Sequence, residues 1–175
     1  MTKARTPEVG TTGSVRDLSG YSLSCKDKDI LIAPWKTTRW LVLSSFFFMV
    51  PAWYSYINSL TSYSALLICT SLVSANYWKK ATYSWRRNMD LCVAKLSFII
   101  FLSNGVYYIR SPKYMIPGYG GLVVLSYCYY MSGKQYVLKN KYWYKYHMAF
   151  HIIMAYEQTL IFYCILRHRP KWEKS

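Results

Sequence analysis

Acidic side chains are what this sequence has least of. Asp and Glu number 7 in 175 residues against 22 Lys and Arg, a formal net charge of +15. Four of the acids, Glu8, Asp17, Asp27 and Asp29, lie in the polar N-terminal stretch; between Asp29 and Glu173 only Asp90 and Glu157 remain. Charged residues of both signs make up 17% of the chain, where a soluble domain carries about a quarter. That shortage argues against an ordinary soluble domain. Cysteine is sparse as well: Cys25, Cys69, Cys92, Cys128 and Cys164 fall one to a segment. No pair has metal-ligand spacing, and an odd count does not close a disulfide framework. An early apolar core is missing, so no signal peptide is expected, and no Asn-x-Ser/Thr glycosylation site occurs.

What is present is apolar: 53% of residues are hydrophobic and 19% aromatic. Five runs approach the roughly 18 residues needed to cross a bilayer as a helix. They are RWLVLSSFFFMVPAWYSYI at 39–57, TSYSALLICTSLVSANYW at 61–78, MDLCVAKLSFIIFLSNGVYYI at 89–109, YMIPGYGGLVVLSYCYYM at 114–131 and WYKYHMAFHIIMAYEQTLIFYCIL at 143–166. Trp and Tyr gather at most of their ends, as an interfacial belt does. Pro51 predicts a kink in the first run; Pro117, Gly118, Gly120 and Gly121 predict a bend and close helix contact in the fourth. The expected fold is therefore all-α, a multi-span transmembrane bundle of about five helices. A polar, disordered tail at 1–38 precedes it, and a basic tail at 167–175 follows.

Short connections make consecutive spans antiparallel. One face then carries Lys79, Lys80, Arg86 and Arg87 in one loop and Lys134, Lys139, Lys141 and Lys145 in another; the opposite face has Arg110 and Lys113. The positive-inside rule puts the N-terminus on the cytoplasmic side; no feature names an organelle. A strongly basic balance also suits nucleic-acid binding. Here the cations sit between apolar runs and form no stripe, so no nucleic-acid partner is expected, and membrane lipids are.

The polar residues inside the runs fall into pattern. Asp90, Ser97 and Asn104 recur every seven residues and share a helix face. Ser64, Ser71 and Ser74 share another, with Trp78 one turn beyond. His147 and His151 stand at i and i+4, in line with Met154 and Gln158, with Glu157 beside that stripe. The topology brings Ser74, Asp90, His147 and His151 to a similar depth near the basic face. Two imidazoles and a carboxylate make three ligands of an open zinc site, with water as the fourth. Plainer readings stand beside each. The histidines serve as interhelical hydrogen-bond donors, Asp90 caps its helix or pairs with Arg86 or Arg87, and Glu157 pairs with Lys95.

The run SANYW (Ser74 to Trp78), then WRRNMD ending at Asp90, then HMAFH (His147 to His151) resembles the superfamily of membrane hydrolases that includes alkaline ceramidases, adiponectin and progestin receptors and hemolysin III-like proteins. Its pattern is Ser-x3-His, an Asp opening the next span, and His-x3-His in the last. The resemblance implies zinc held by histidines, with Ser74 and Asp90 positioning a water that attacks a lipid amide or ester. In this sequence Asp90, as third metal ligand or as base, joins His147 and His151. Two departures qualify it: Trp78 replaces the first histidine, and five spans stand where members usually have seven. The other open reading is a non-catalytic accessory subunit of a larger membrane complex, in which these polar groups face partner subunits or lipid headgroups.

Overall fold

The structure, a computed structural model, describes residues 32–168. The tail at 1–31, with Cys25, and residues 169–175 of the basic tail lie outside the described residues. Five helices follow in order: α1 (Trp35–Ile57), α2 (Thr61–Lys79), α3 (Trp85–Tyr108), α4 (Pro112–Val137) and α5 (Trp143–His168). Helices α1, α3 and α5 are long and apolar enough to cross a membrane.

Several ends extend past the apolar runs. α1 begins at Trp35 rather than 39, because Pro34 in extended geometry ends the preceding coil and its carbonyl accepts from the amides of Thr37 and Thr38. α4 continues through Ser132, Gly133, Lys134 and Gln135 to Val137, where a hydropathy scan stops at 131. In both cases the added turns are polar but still hydrogen-bonded as helix. Within α1, Phe46–Phe48 tighten into a 3-10 turn just ahead of Pro51. Proline has no N–H to give the carbonyl of Phe47 and its ring crowds that oxygen, so the backbone adjusts one turn upstream. α4 instead runs through Pro117 without interruption.

Helix α5 is the hub. It packs most extensively on α4, and also on α1 and α3, while α2 closes a ring between α1 and α3. Consecutive in sequence, α3 and α4 scarcely touch, which leaves a cleft between them floored by α5.

The seven-residue stripe of α3 turns inward against α2. Asn104 Oδ1 accepts from the Tyr63 hydroxyl at 3.0 Å, and Ser97 and Thr70 share a hydrogen bond of 2.8 Å. One level nearer the basic face, Ser74 is the hydrogen-bonding neighbour of the Asp90 carboxyl. These rungs tie the two antiparallel helices together through side-chain hydrogen bonds. The serine face of α2 meets α1 instead: Ser71 donates to the Ser45 carbonyl at 3.0 Å, and Ser45 Oγ donates to Ser74 Oγ at 3.1 Å. Replacing Ser97 by Ala is expected to cost about 0.6–1 kcal/mol in an SDS-unfolding titration. Ser103→Ala is the control and should leave the midpoint unchanged, since exposed Ser103 bonds only the Ile99 carbonyl of its own helix.

The two ends of the bundle are closed by aromatic clusters. Tyr63, Phe101 and Phe162 meet ring to ring at the end remote from the lysine-rich loops. At the basic end Leu41, Tyr77, Trp78 and Ala81 form a buried group covered by Trp143, Tyr144 and Met148.

Candidate functional site: a polar cavity between α3 and α4

Ser74, Asp90, His147 and His151 all line one cavity of about 370 Å³. They come from α2, α3 and α5, three elements whose relevant ends lie at the basic side of the bundle. The rest of the wall includes Lys95 and Phe98 on α3, Leu125, Ser126 and Tyr129 on α4, and Phe150 and Gln158 on α5. The cavity therefore occupies the upper part of the α3–α4 cleft.

Each histidine is held by a serine from a different helix. His151, buried at 3% exposure, has Nδ1 2.9 Å from Ser44 Oγ on α1, and its ring stacks obliquely on Phe48 at 5.3 Å. His147 Nδ1 lies 3.3 Å from Ser132 Oγ on α4. The two imidazoles sit 4.8 Å apart, centroid to centroid, as their i, i+4 spacing requires. Trp78 stands edge-on to His147 at 5.0 Å and is itself buried, its indole N–H without a partner.

The ligand set expected from the sequence reaches this cavity but is not gathered into a coordination sphere. Among the described residues, no three His, Cys, Asp or Glu side chains come close enough together to hold one metal ion. The reason is local. His147 is drawn toward α4, His151 toward α1, and Asp90 toward Ser74 on the α2–α3 side. As placed, these residues do not fit a three-ligand zinc ion. Asp90 does not cap its helix either: α3 starts at Trp85 after Ser84, which leaves Asp90 in the second turn, facing the cavity. No ion pair joins it to Arg86 or Arg87, and none joins Glu157 to Lys95, among the described residues; Arg87 instead lies over the Tyr83 ring at 5.2 Å.

Periodicity pointed to Gln158 as part of the histidine stripe without giving it a role. It is 2% exposed, lines the cavity, and its carbonyl oxygen has no hydrogen-bond partner. The sequence offers Lys95 only as a partner for Glu157 and gives it no place in the site. It stands about 15 Å along α3 from Trp85 at 1.5 Å per residue, exposed at the edge of the cavity.

Fold and site together define a small all-α helical bundle, with three helices long and apolar enough to cross a membrane and a cavity within it that gathers Ser74, Asp90, His147 and His151. No family model, no curated protein and no solved structure matches this chain.

Proposed function

We propose that this protein is a five-span membrane protein that binds the polar end of a membrane lipid in the α3–α4 cavity. In this reading it has the framework of the membrane hydrolases its motifs resemble, with Trp78 in place of one metal ligand. The single observation that carries the proposal is the convergence of Ser74, Asp90, His147 and His151 on a 370 Å³ cavity between two helices that scarcely touch. Such a gap admits a ligand sideways from the bilayer without passing the aromatic clusters at either end.

The chemistry of the wall suits an amphiphile. Asp90 supplies an acceptor, Lys95 a cationic donor, and the two imidazoles a donor or acceptor each. Polar groups at membrane depth are costly and mark functional paths by default. Helices α2 and α4 complete the five spans although they are less apolar than the others. The buried Ser64, Thr70, Ser71 and Ser74 of α2 face neighbouring helices and not lipid. With the basic loops on the cytoplasmic side, the cavity opens in the cytoplasmic leaflet, where anionic headgroups meet Lys79, Lys80, Arg86 and Arg87.

The test is lipid retention. The protein, purified in mild detergent and examined by native mass spectrometry, is expected to keep one lipid per chain. Ala94→Trp should lower that occupancy about tenfold, a loss of ~1.4 kcal/mol. Ala94 is exposed and lines the cavity, so an indole there blocks the opening without entering the core. Equal lipid in both proteins would sink the proposal. A bare chain that co-purifies instead with other membrane proteins would favour the accessory-subunit reading.

A further inference from the structure

The α3–α4 cleft does not end at the polar cavity. A second, narrower chamber of about 60 Å³ follows it toward the far end of the bundle, lined by Phe101, Leu102, Gly105, Val106, Ile109 and Leu122 among others. The two chambers share Phe98, Leu125, Met154 and Gln158 as walls, so they adjoin along the cleft. Both parts are walled mainly by apolar groups, but Ser74, Asp90, Lys95, His147 and His151 stand only on the upper one, which suits a headgroup followed by a chain.

Two buried oxygens lie just behind the wall of the apolar part. Gln158 Oε1 and Glu157 Oε1 both lack a hydrogen-bond partner, in side chains that are 2% and 8% exposed, and both side chains line the second chamber. The fold makes room for this arrangement. A Cβ on Gly121 of α4 would overlap the Glu157 carboxyl, so only glycine leaves that group its place. A buried acceptor without a donor is costly, and a pair of them along one cleft points to something that donates.

Resting on the lipid-binding reading above, we infer that Glu157 and Gln158 form a second polar station that receives a hydroxyl carried part-way along the chain of the bound amphiphile. The stations are spaced for it. Gln158 follows His151 by seven residues, about 10 Å along α5 at 1.5 Å per residue. A headgroup among Asp90, Lys95 and His147 therefore places the middle of an extended chain, and not its start, beside Gln158. A hydroxyl also donates and accepts, so it satisfies the Gln158 amide in either orientation and Glu157 in either protonation state.

The experiment compares two ligands that differ by one oxygen atom. The full-length, detergent-purified protein is stripped of lipid and offered an equal mixture of monoricinolein and monoolein. Their headgroups match, and only the first carries a mid-chain hydroxyl. Native mass spectrometry resolves the two complexes in one spectrum. The expected result is a preference of about tenfold for monoricinolein, the size of one buried hydrogen bond otherwise left unmade. Gln158→Met, close in shape but apolar, should remove most of that preference and strengthen monoolein binding. The ratio in the unaltered protein is decisive even if the variant folds poorly. Equal binding of both ligands would overturn the mid-chain station, showing its oxygens to be met by water, and would leave the lipid cavity standing. Binding of neither would overturn both readings.

Discussion

Trp78→His is expected to turn the cavity into a zinc site. The indole it removes lies 5.0 Å from the His147 ring, which is 4.8 Å from that of His151. An imidazole in its place brings a third nitrogen ligand beside His147, behind the cavity wall, and three protein ligands with one water is zinc's open tetrahedral arrangement. Nothing pins the indole by hydrogen bonding, since its N–H has no partner. His147 and His151 meet their serines through Nδ1, which leaves Nε2 of each for the ion. Near-stoichiometric zinc is expected in the purified variant by elemental analysis, against a small fraction of that in the unaltered protein. His147→Ala added to the variant should abolish it. Without metal the variant should be about 2–3 kcal/mol less stable, because a large buried ring is replaced by a smaller one; added zinc should raise its melting temperature, as any ligand of the folded state does. A variant that takes up no zinc would mean that α2 and α5 are not spaced for a shared ion, and the hydrolase resemblance would lose its hold on this site.

Phe162→Ala should give the largest loss of stability, about 3–5 kcal/mol. Phe162 is fully buried where α5 meets α2 and α3, with Tyr63 at 5.4 Å and Phe101 at 5.5 Å, both edge-on. Lipid tails are as apolar as the ring, so within a bilayer its contribution is packing and aromatic geometry, not escape from water. Truncation leaves a void that three helices must share. Equilibrium unfolding in SDS measures the effect. Phe162→Leu, which refills most of the volume, should recover more than half. A change below 1 kcal/mol for the alanine variant would mean that the cluster is not a packed end of the bundle. Because the same cluster fixes α5 against α3, its loss should also loosen lipid retention in the cleft. Tyr156→Ala, exposed elsewhere on α5, should affect neither.

Much of the helix pattern was legible from hydropathy. The second run, 61–78, became Thr61–Lys79 with almost no adjustment, because turn residues bound it on both sides. Errors fell where helix continues into polar sequence: Trp35 to Thr38 were read as tail, and Ser132 to Val137 as loop. An apolarity scan measures the solvent a residue prefers, whereas the helix ends where backbone hydrogen bonding ends. The proline signals divided for a related reason. Pro51 sits deep in α1 and disturbs the turn before it, while Pro117 lies near the start of α4 and the helix runs on through it.

The site was legible in part. Seven-residue spacing put Asp90, Ser97 and Asn104 on one face, and that face is the rung side of the α2–α3 ladder. Spacing on single helices also put the two histidines together. It carried no information about Ser44 and Ser132, which hold those histidines from α1 and α4. Side-chain orientation at a junction of four helices is set by which neighbour offers a hydrogen bond, and that depends on contacts more than 100 residues apart in the chain, as between Ser44 and His151.

By itself, then, the sequence determined the helices, the runs apolar enough to cross a membrane and which polar groups share a helix face, since these follow from local composition and from counting turns along one helix. Tertiary structure alone decided that α3 and α4 stand apart, that His147, His151 and Asp90 do not gather around one ion, and that Glu157 Oε1 and Gln158 Oε1 meet no donor. Each of those depends on how helices distant in sequence pack, which is selected by shape and hydrogen bonding between side chains and not by hydropathy along any one helix.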